Sequence, residues 1–333
     1  MKLFITGASG YIGGSFLTKA LKLGCQVLCF DNFSNSNIEP IDKLRQEYKF
    51  KFYQTDLKDY GEISDLMKDF CPDIVVHFAA LKSVTESEIY QSLYTKNNVE
   101  GTKNLLEAMK ENAVSKLIFS SSAAVYGNQF QQPVSESSNI MPISHYAKTK
   151  AQCERIIKEY CDKYKFNSIS LRYFNPLGVH AENIFYDSIN NAERNVLGNL
   201  MACHLKISPF FKIYGNDYPT HDGSAIRDYI HIDDLIEGHF AALKIIENQV
   251  GYEVINLGSN SGVSVFELVD VFNKVAKTRL PTKIAPRRIS DLAVSYANTL
   301  KSTKILKWQT KKTLHEMCKS YLEFYENRWQ RIN

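Results

Sequence analysis

The sequence predicts an α/β protein built on a parallel sheet with helices on both faces. Through the first half of the 333-residue chain, short apolar segments alternate with longer segments of helical periodicity. A glycine-rich turn lies where the first apolar segment meets the first helical one. Strands joined by helices run parallel and are covered on both faces. We therefore expect a Rossmann-type, doubly wound parallel sheet followed by a smaller C-terminal α/β domain.

Six apolar segments are the predicted strands of the first half, at residues 3–6, 26–30, 50–54, 74–77, 116–121 and 168–171. A single long helix is expected over residues 85–110, because apolar residues recur there at helical spacing. In the second half the pattern predicts helices over residues 235–246, 265–276 and 313–329, and a strand over residues 253–257.

Composition excludes several classes of protein. The formal charge is only +4, and Lys and Arg alternate with Asp and Glu, so no nucleic-acid footprint is present. No apolar run reaches the ~18 residues that a bilayer span needs, and the chain opens directly on a predicted strand. Seven scattered cysteines without a Cys-x-x-Cys pair indicate buried thiols in a reducing cytoplasm and no metal site.

The glycine-rich turn holds the first candidate site. It runs through Gly7, Gly10, Tyr11, Ile12 and Gly13, between the first strand and a helix. Glycines permit the tight turn and let a pyrophosphate approach the backbone, while the helix N-terminus favours its negative charge. The placement of this triplet at the first βα junction predicts dinucleotide binding.

An acidic residue after the second strand indicates which dinucleotide. Asp31 lies 18 residues beyond Gly13, close to the ~20 expected for a carboxylate that binds the adenosine ribose. It would repel a 2′-phosphate, and the residues that follow, including Asn32, Asn35 and Ser36, contain no Arg or Lys. NAD is therefore favoured over NADP.

Further candidate cofactor contacts follow the third and fourth strands. Asp56, beside Leu57, can accept from the adenine amino group, although a solvated turn carboxylate is the alternative. After the fourth strand the small residues of the Phe78, Ala79, Ala80 stretch let a cofactor lie against the backbone at the carboxyl end of the sheet. Lys82 can reach a phosphate or ribose there, or be a solvated surface side chain. Within the long helix, Asn97 or its neighbour Asn98 can bind a buried loop or the cofactor, or simply be tolerated.

The fifth strand and the helix after it carry a candidate general base. Ser120 and Ser122 end the strand, and Tyr146 and Lys150 are four residues apart at the start of the helix. That spacing puts both side chains on one helix face. We expect the Lys ammonium, with a nicotinamide cation nearby, to lower the pKa of the phenol from ~10 toward neutrality. Tyr146 would then act as a base at cytosolic pH.

The chain resembles the UDP-glucose 4-epimerases of the extended short-chain dehydrogenase/reductase superfamily over nearly its full length. The ordered motifs are Thr6-Gly-x-x-Gly-x-x-Gly13, Asp31-Asn-x-Ser-Asn-Ser36, His77-Phe-Ala79, Asn97-Asn-Val-x-Gly-Thr102, Ser120-Ser-Ser-Ala-x-Val-Tyr-Gly127, Tyr146-x-x-x-Lys150, Arg172-Tyr-Phe-Asn-Pro176, Tyr214-Gly-Asn-Asp-Tyr-Pro-Thr220, Arg227-Asp-Tyr-Ile-His231 and Ala285-Pro-Arg-Arg288.

The resemblance implies a division of labour along the chain. Residues 1–174 would bind NAD and residues 175–333 the UDP-sugar, with crossings of the chain between the two. Ser122, Tyr146 and Lys150 would be catalytic, Ser120 and Tyr173 would border the cofactor, and Lys82 would also reach the substrate. The implied uridine diphosphate pocket consists of Asn175, Asn199, Leu200, Tyr214, Arg227, Arg288 and Asp291. Arg is suited to a diphosphate because it supplies several cationic donors.

The implied reaction is epimerisation at C4 through a transient 4-keto sugar, with NAD as a tightly bound hydride acceptor and donor. Position 295 bears on the sugar. In the family a bulky Tyr at this position restricts the enzyme to glucose and galactose, and a smaller residue admits N-acetylhexosamines. Ser295 therefore predicts activity on UDP-GlcNAc and UDP-GalNAc as well. A one-residue shift in register would instead put Tyr296 at this gate.

Three rival functions use the same fold. A sugar-nucleotide dehydratase needs an acid and a base directly after the catalytic Ser, where this chain has Ala123 and Ala124. A UDP-glucuronate epimerase or decarboxylase needs a basic residue near the sugar carboxylate, and the sequence leaves this alternative open. A non-enzymatic NAD-binding regulator would lack the catalytic residues. The resemblance also implies a homodimer paired through the helices at 85–110 and 146–163.

Overall fold

The first half of the chain folds as alternating strands and helices. The computed structural model describes residues 1–182, 184–187, 196–288 and 291–332, with side chains as far as residue 329. The elements up to the fourth strand are β1 (Lys2–Thr6), α1 (Tyr11–Lys22), β2 (Gln26–Asp31), α2 (Glu39–Glu47), β3 (Lys51–Gln54), α3 (Tyr60–Phe70) and β4 (Ile74–His77). They are followed by α4 (Val84–Ile89), α5 (Gln91–Tyr94), a π-helix (Thr95–Glu100), α6 (Gly101–Glu111), β5 (Lys116–Ser122), a 3₁₀ turn (Ala123–Tyr126), α7 (His145–Tyr164) and β6 (Asn167–Tyr173).

The second half consists of shorter strands between helices. Its elements are β7 (Asn175–Leu177), α8 (Val196–His204), β8 (Phe211–Tyr214), β9 (Ile226–Arg227), β10 (Tyr229–His231), α9 (Ile232–Ile245), β11 (Tyr252–Leu257), β12 (Val263–Ser264), α10 (Val265–Val275), β13 (Thr282–Ala285), β14 (Val294–Ser295), α11 (Leu300–Leu306) and α12 (Leu314–Ile332).

Seven strands form one parallel sheet in the order β11-β6-β5-β4-β1-β2-β3. The chain builds outward from β1 in one direction as far as β3, and then returns to continue from β4 on the other side. The strand order therefore reverses between β1 and β4, where Thr6 pairs with His77. In open α/β sheets, ligands bind at this switch point, outside the carboxyl ends of the strands. The predicted fold class is confirmed.

Alternate residues of the strands serve two separate cores, one on each face of the sheet. On β5, Ile118 packs in the core that includes α1 and α9, whereas Leu117 and Phe119 pack in the core that includes α3, α6 and α7. Because the central strands are buried on both faces, their sequences are nearly continuous apolar runs. This is why their positions could be predicted closely.

The expected single helix over residues 85–110 was wrong. The helical path breaks at Tyr90, whose φ and ψ are −112° and 50°, and it continues through a π-helix before α6 begins. Inside that widened turn, the Asn98 side chain accepts from Leu81 N at 2.8 Å and donates to Leu81 O at 3.0 Å. The helix thus provides hydrogen-bond partners for the backbone of the loop after β4. The spacing of apolar residues in the sequence does not predict this tertiary contact.

The second half returns to the large sheet before it forms its own core. β11 is the edge strand of that sheet, and α9 packs on the same face as α1. A third core lies among α8, α10 and α12, beside three sheets of two or three short strands. The boundary between residues 174 and 175 stays a prediction. Among the described residues, no helix is both long and apolar enough to cross a bilayer.

A buried ion pair joins α7 to the sheet. The Arg172 side chain on β6 donates to the Glu154 carboxylate at 2.9 and 2.6 Å, and both residues are less than a tenth exposed. The Ser121 hydroxyl on β5 donates to the same carboxylate at 2.5 Å. Glu154 lies one turn beyond Lys150, so this contact orients the helix that carries the candidate catalytic residues.

We expect Glu154→Gln to lower the free energy of unfolding by about 3 kcal/mol, because it leaves the Arg172 charge buried without a carboxylate. Urea denaturation measures the loss. The control is Asp162→Asn on the same helix, which breaks an exposed ion pair with Lys158 (2.7 Å) and should cost less than about 1 kcal/mol. Equal losses in the two variants would contradict the assigned role of the buried pair.

Candidate active site

The glycine turn forms a cradle that only glycine fits. Gly7 has a φ of +69°, and a Cβ there would lie 2.6 Å from the backbone nitrogen of Ala79. A Cβ on Gly13 would lie 2.2 Å from the Gly7 carbonyl oxygen. Gly10 caps α1, so the N-terminus of that helix meets the turn at the carboxyl end of β1. Close backbone approach at a helix N-terminus is the geometry that a dinucleotide pyrophosphate requires.

The two remaining residues of the turn face protein. The Tyr11 hydroxyl donates to the Gly178 carbonyl at 2.7 Å, and Ile12 is half-buried against the core. Tyr11 thereby joins the cradle to the second half of the chain. This contact orients the Tyr11 side chain, and no local pattern in the sequence predicts it.

Asp31 ends β2 with its carboxylate turned back to the cradle. It accepts from Ser9 N at 3.0 Å, Phe33 N at 2.9 Å and the Ser36 hydroxyl at 2.9 Å. These three donors are neutral and do not offset the negative charge of the carboxylate, which therefore disfavours a second anion nearby. This arrangement fits a ribose diol and opposes a 2′-phosphate. Asn35 is exposed on the following loop.

Asp56 lies beside Asn32, whose amide donates to its carboxylate at 2.8 Å. Burial opposes ionisation here, but that hydrogen bond and one from Lys58 N outweigh it and lower the pKa of Asp56. The carboxylate is therefore ionised and ready to accept a further hydrogen bond. The adjacent Leu57 side chain is buried in the core on the α6 side of the sheet.

The residues after β4 line the other wall of the crevice. Ala79 N donates to the Thr6 hydroxyl at 3.2 Å, and Phe78 packs against Phe16 with ring centroids 5.2 Å apart. Ala80 follows, half-buried. Lys82 forms an ion pair with Asp187 at 3.3 Å. Its predicted phosphate or ribose contact therefore requires exchange of that partner.

The sequence did not decide which of Asn97 and Asn98 binds a buried loop. In the structure, Asn98 binds the loop after β4 through the backbone of Leu81. Asn97 is half-buried and donates from its amide to Asn98 Oδ1 at 3.0 Å. Asn97 thus reinforces the orientation of its neighbour. Its predicted cofactor contact stays a prediction.

Ser122, Tyr146 and Lys150 come together at the carboxyl end of β5. Tyr146 is the second residue of α7, and its phenol lies close enough to the Ser122 side chain for Ser122 to favour the phenolate. Lys150 is 3% exposed, donates to the Ser120 carbonyl at 2.7 Å, and lies 4.8 Å from the centre of the Phe119 ring. The helical spacing therefore holds, and the strand end supplies the serine that the sequence placed beside it.

The expected lowering of the Tyr146 pKa by Lys150 and a nicotinamide cation stays a prediction, because it includes the charge of the cofactor. Burial raises the pKa of Tyr146 to about 12, opposed by its hydrogen bond to Ser122. Burial likewise lowers the pKa of Lys150 to about 8. The ammonium points to the Ser120 carbonyl, so desolvation outweighs its attraction for a phenolate.

Tyr173 ends β6 opposite Ser122 in the strand register, and it contacts a residue that the sequence did not single out. The Tyr173 hydroxyl donates to His239 Nε2, because His239 Nδ1 donates to the Leu235 carbonyl at 2.9 Å. Burial lowers the pKa of His239 to about 4, so this imidazole is neutral. His239 appears in sequence as one more residue of an apolar helix, and only the fold brings it to the site.

On the substrate side, two arginines project from short strands and loops. Arg227 donates to the Asp291 carboxylate, and the Arg288 guanidinium lies 3.9 Å from the centre of the Tyr214 ring. The Asp291 carboxylate thus offsets the positive charge of Arg227 and orients its guanidinium group. The shared role of the two arginines as the cationic side of a diphosphate pocket stays a prediction.

The other predicted pocket residues differ in what they can offer a ligand. Asn175 donates from its amide to the Asp228 carbonyl at 2.9 Å. Asn199 and Leu200 lie on α8, and the Leu200 side chain is fully buried in the third core. A ligand contact at Leu200 is therefore restricted to its backbone.

The register at position 295 is decided by strand pairing. Ser295 on β14 pairs with Arg227 on β9, so the two side chains share a face. Tyr296 points to the opposite face: a Cβ added at Gly262 would lie 3.2 Å from its ring. Serine, and not the neighbouring tyrosine, lies on the arginine side. Among the described residues, no group of three or more His, Cys, Asp or Glu side chains is placed to hold a metal ion.

Comparison with known proteins decides the family. The model of the NAD dependent epimerase/dehydratase family matches residues 3–258. This chain belongs to that family. NAD is accordingly its cofactor, and the glycine cradle and the Asp31 carboxylate fit it.

Relatives and solved structures of this epimerase family cover almost the whole chain. UDP-glucose 4-epimerase of Bacillus subtilis is 35% identical over 100% of this chain and 98% of its own length. The crystal structure of UDP-glucose-4-epimerase from Stenotrophomonas maltophila, with bound NAD and formylated UDP-arabinopyranose, has a TM-score of 0.94 at 33% identity, covering 99% of both chains. The UDP-Glc/GlcNAc 4-epimerase from Campylobacter jejuni has a TM-score of 0.85 at 32% identity, covering 98% of this chain and 99% of that one.

The buried ammonium of Lys150 gives a pH-dependent test. Its folded pKa of about 8 lies below the ordinary value of 10.5, so between these values the unfolded chain binds more protons and stability rises with pH. Over that window we expect the stability of the wild type relative to Lys150→Met to rise by about 2 to 3 kcal/mol. Urea denaturation at a series of pH values measures it. Lys148→Met, at an exposed position of the same helix, is the control and should follow the wild type.

Proposed function

We propose that this protein interconverts UDP-glucose and UDP-galactose by epimerising C4 of the sugar. The proposal rests mainly on one observation: the Tyr146 and Ser122 side chains lie close together at the carboxyl end of the sheet whose switch point carries the glycine cradle. Arg227 and Arg288 supply cationic donors on the substrate side. Because relatives are named as UDP-glucose 4-epimerases, UDP-glucose is favoured as the substrate over UDP-glucuronate or the substrate of a dehydratase.

The division of the chain follows from this proposal. Residues 1–174 bind NAD and residues 175–333 bind the UDP-sugar, with α9 and β11 as the exceptions that return to the large sheet. The cofactor contacts are Gly7, Gly10, Tyr11, Ile12, Gly13, Asp31, Asn32, Asn35, Ser36, Asp56, Leu57, Phe78, Ala79, Ala80, Lys82, Asn97, Ser120, Tyr146, Lys150 and Tyr173. The substrate contacts are Lys82, Ser122, Tyr146, Asn175, Asn199, Leu200, Tyr214, Arg227, Arg288, Asp291 and Ser295.

Each residue of the proposed site has its own role in the reaction. NAD, when bound, supplies a hydride acceptor and then a hydride donor for C4. Tyr146 removes the proton from the sugar O4 and later returns it, and Ser122 hydrogen-bonds the same oxygen as it becomes a ketone. The Lys150 ammonium is oriented by the Ser120 carbonyl, one helical turn beyond Tyr146. Return of hydride to the other face of the 4-keto sugar inverts C4.

Tyr146→Phe should lower kcat for UDP-galactose by about 10³-fold or more, because it removes the general base. NAD should stay bound, since the cradle is untouched, and its absorbance or release on denaturation measures this. Tyr164→Phe at the far end of α7 is the matched control. Full activity in Tyr146→Phe would eliminate this residue as the base.

The same site, we propose, also accepts UDP-GlcNAc and UDP-GalNAc. Ser295 shares a face with Arg227, and Tyr296 points away, so the position beside the sugar is a small side chain. The Campylobacter jejuni enzyme, named for both glucose and GlcNAc substrates, is a structural neighbour that supports this breadth.

Ser295→Tyr should lower kcat/KM for the acetylated sugars by about 100-fold, because the phenol would fill the space of the 2-acetamido group. The values for UDP-glucose and UDP-galactose should change by less than about threefold. Tyr296→Phe is the control, since that ring points to the opposite face. If the wild type turns over neither acetylated sugar, the proposed breadth is wrong.

A homodimer and a cytoplasmic location complete the proposal. Acidic and basic side chains of α6 and α7 line a surface groove of about 460 Å³, which suits pairing with a second copy. The groove is lined by Lys103, Glu107, Gln152, Arg155, Ile156, Glu159 and Tyr160. All seven cysteines are unpaired, as expected in a reducing compartment. Sedimentation of the full chain tests the mass of the assembly.

A further inference from the structure

The loop after the catalytic strand reaches across to the strand that carries Ser295. Gln132, ten residues beyond Ser122, is half-buried and bridges both sides of position 295. Its amide nitrogen donates to the Val294 carbonyl at 3.2 Å, and its amide oxygen accepts from Tyr296 N at 3.2 Å. A glutamine side chain offers the same donor and acceptor as a peptide group, so Gln132 takes the place of a neighbouring strand.

Strand β14 makes hydrogen bonds along both of its edges beside Ser295. On one edge, Ile226 N donates to Ala293 O at 2.8 Å and Asp228 N donates to Ser295 O at 3.1 Å. On the other edge the Gln132 amide comes first, and Val134 continues the ladder by donating to Tyr296 O at 3.0 Å. The backbone of Ser295 is therefore clamped between the arginine-bearing strand and the loop that follows Ser122.

This clamp matters because Ser295 is small. A strand segment with a small side chain can relax into the space beside it unless hydrogen bonds along its far edge hold it back. A plain hexose has only a hydroxyl at C2 and does not use that space, whereas a 2-acetamido group must fill it.

We infer that Gln132 is a positioning residue for sugar selection, which holds the Ser295 segment at the distance that leaves room for a 2-acetamido group. The inference rests on the proposed function. Gln132 touches neither the reacting atoms nor the catalytic residues, so it affects the binding of acetylated sugars and leaves the chemical step unchanged. It links the sugar gate to the catalytic strand through ten residues of chain.

The test compares Gln132→Met with Gln129→Met in the full chain. Methionine keeps the length of glutamine but removes both amide bonds. Gln129 is in the same loop, and its amide donates to Tyr126 O at 2.6 Å and Asn139 O at 3.0 Å, away from β14. The Gln129 variant therefore reports general loosening of the loop.

In Gln132→Met, KM for UDP-GlcNAc should rise about tenfold, the effect of one to two lost hydrogen bonds, while kcat changes by less than about twofold. Values for UDP-glucose should stay within about twofold. Hydrogen exchange at the Tyr296 amide should be faster in this variant and not in Gln129→Met. The KM-against-kcat split separates positioning from simple destabilisation, which would lower activity on every sugar.

An unchanged ratio of kcat/KM for the acetylated and plain sugars in Gln132→Met would overturn the inference, as would an equal change of that ratio in Gln129→Met. Failure of the proposed breadth appears elsewhere: the wild type itself would then not turn over UDP-GlcNAc. The two failures are thus distinguished before any variant is compared.

Discussion

The attachment of α7 to the ends of β5 and β6 is the constraint on which the site depends. Two successive turns of the helix are bonded to the sheet, through Lys150 to the Ser120 carbonyl and through Glu154 to Arg172. Each contact satisfies a group that the fold buries, so the helix cannot rotate or slide without leaving a charge unpaired. The Tyr146 phenol is held beside Ser122 as a consequence.

The same burial sets the electrostatics of the site. Desolvation raises the pKa of Tyr146 and lowers that of Lys150, so each group is driven toward its neutral form. A phenolate is therefore unfavourable in the protein chain alone.

The second half of the chain follows a different principle, since outside the large sheet it is assembled from strands of two to four residues that have little stability of their own. The buried Asp228 carboxylate holds several of them together by accepting from Ser259 N at 2.6 Å and Ala297 N at 3.0 Å. Burial raises the pKa of Asp228 to about 6, although these hydrogen bonds oppose the shift. Side chains thus replace the long ladders that stabilise the large sheet.

The sequence by itself determined the parallel sheet, the glycine cradle, the acidic end of β2 and the Tyr146–Lys150 pair. These features depend on the local spacing of residues and on apolar runs that are buried on both faces of the sheet. Both patterns are visible within short stretches of consecutive residues. Only the tertiary structure decided the break at Tyr90, the partner of Tyr173, the direction of the Lys150 ammonium and the register at Ser295. Each of these features depends either on contacts between residues far apart in the chain or on desolvation. Neither long-range contacts nor desolvation produces a periodic pattern in the sequence.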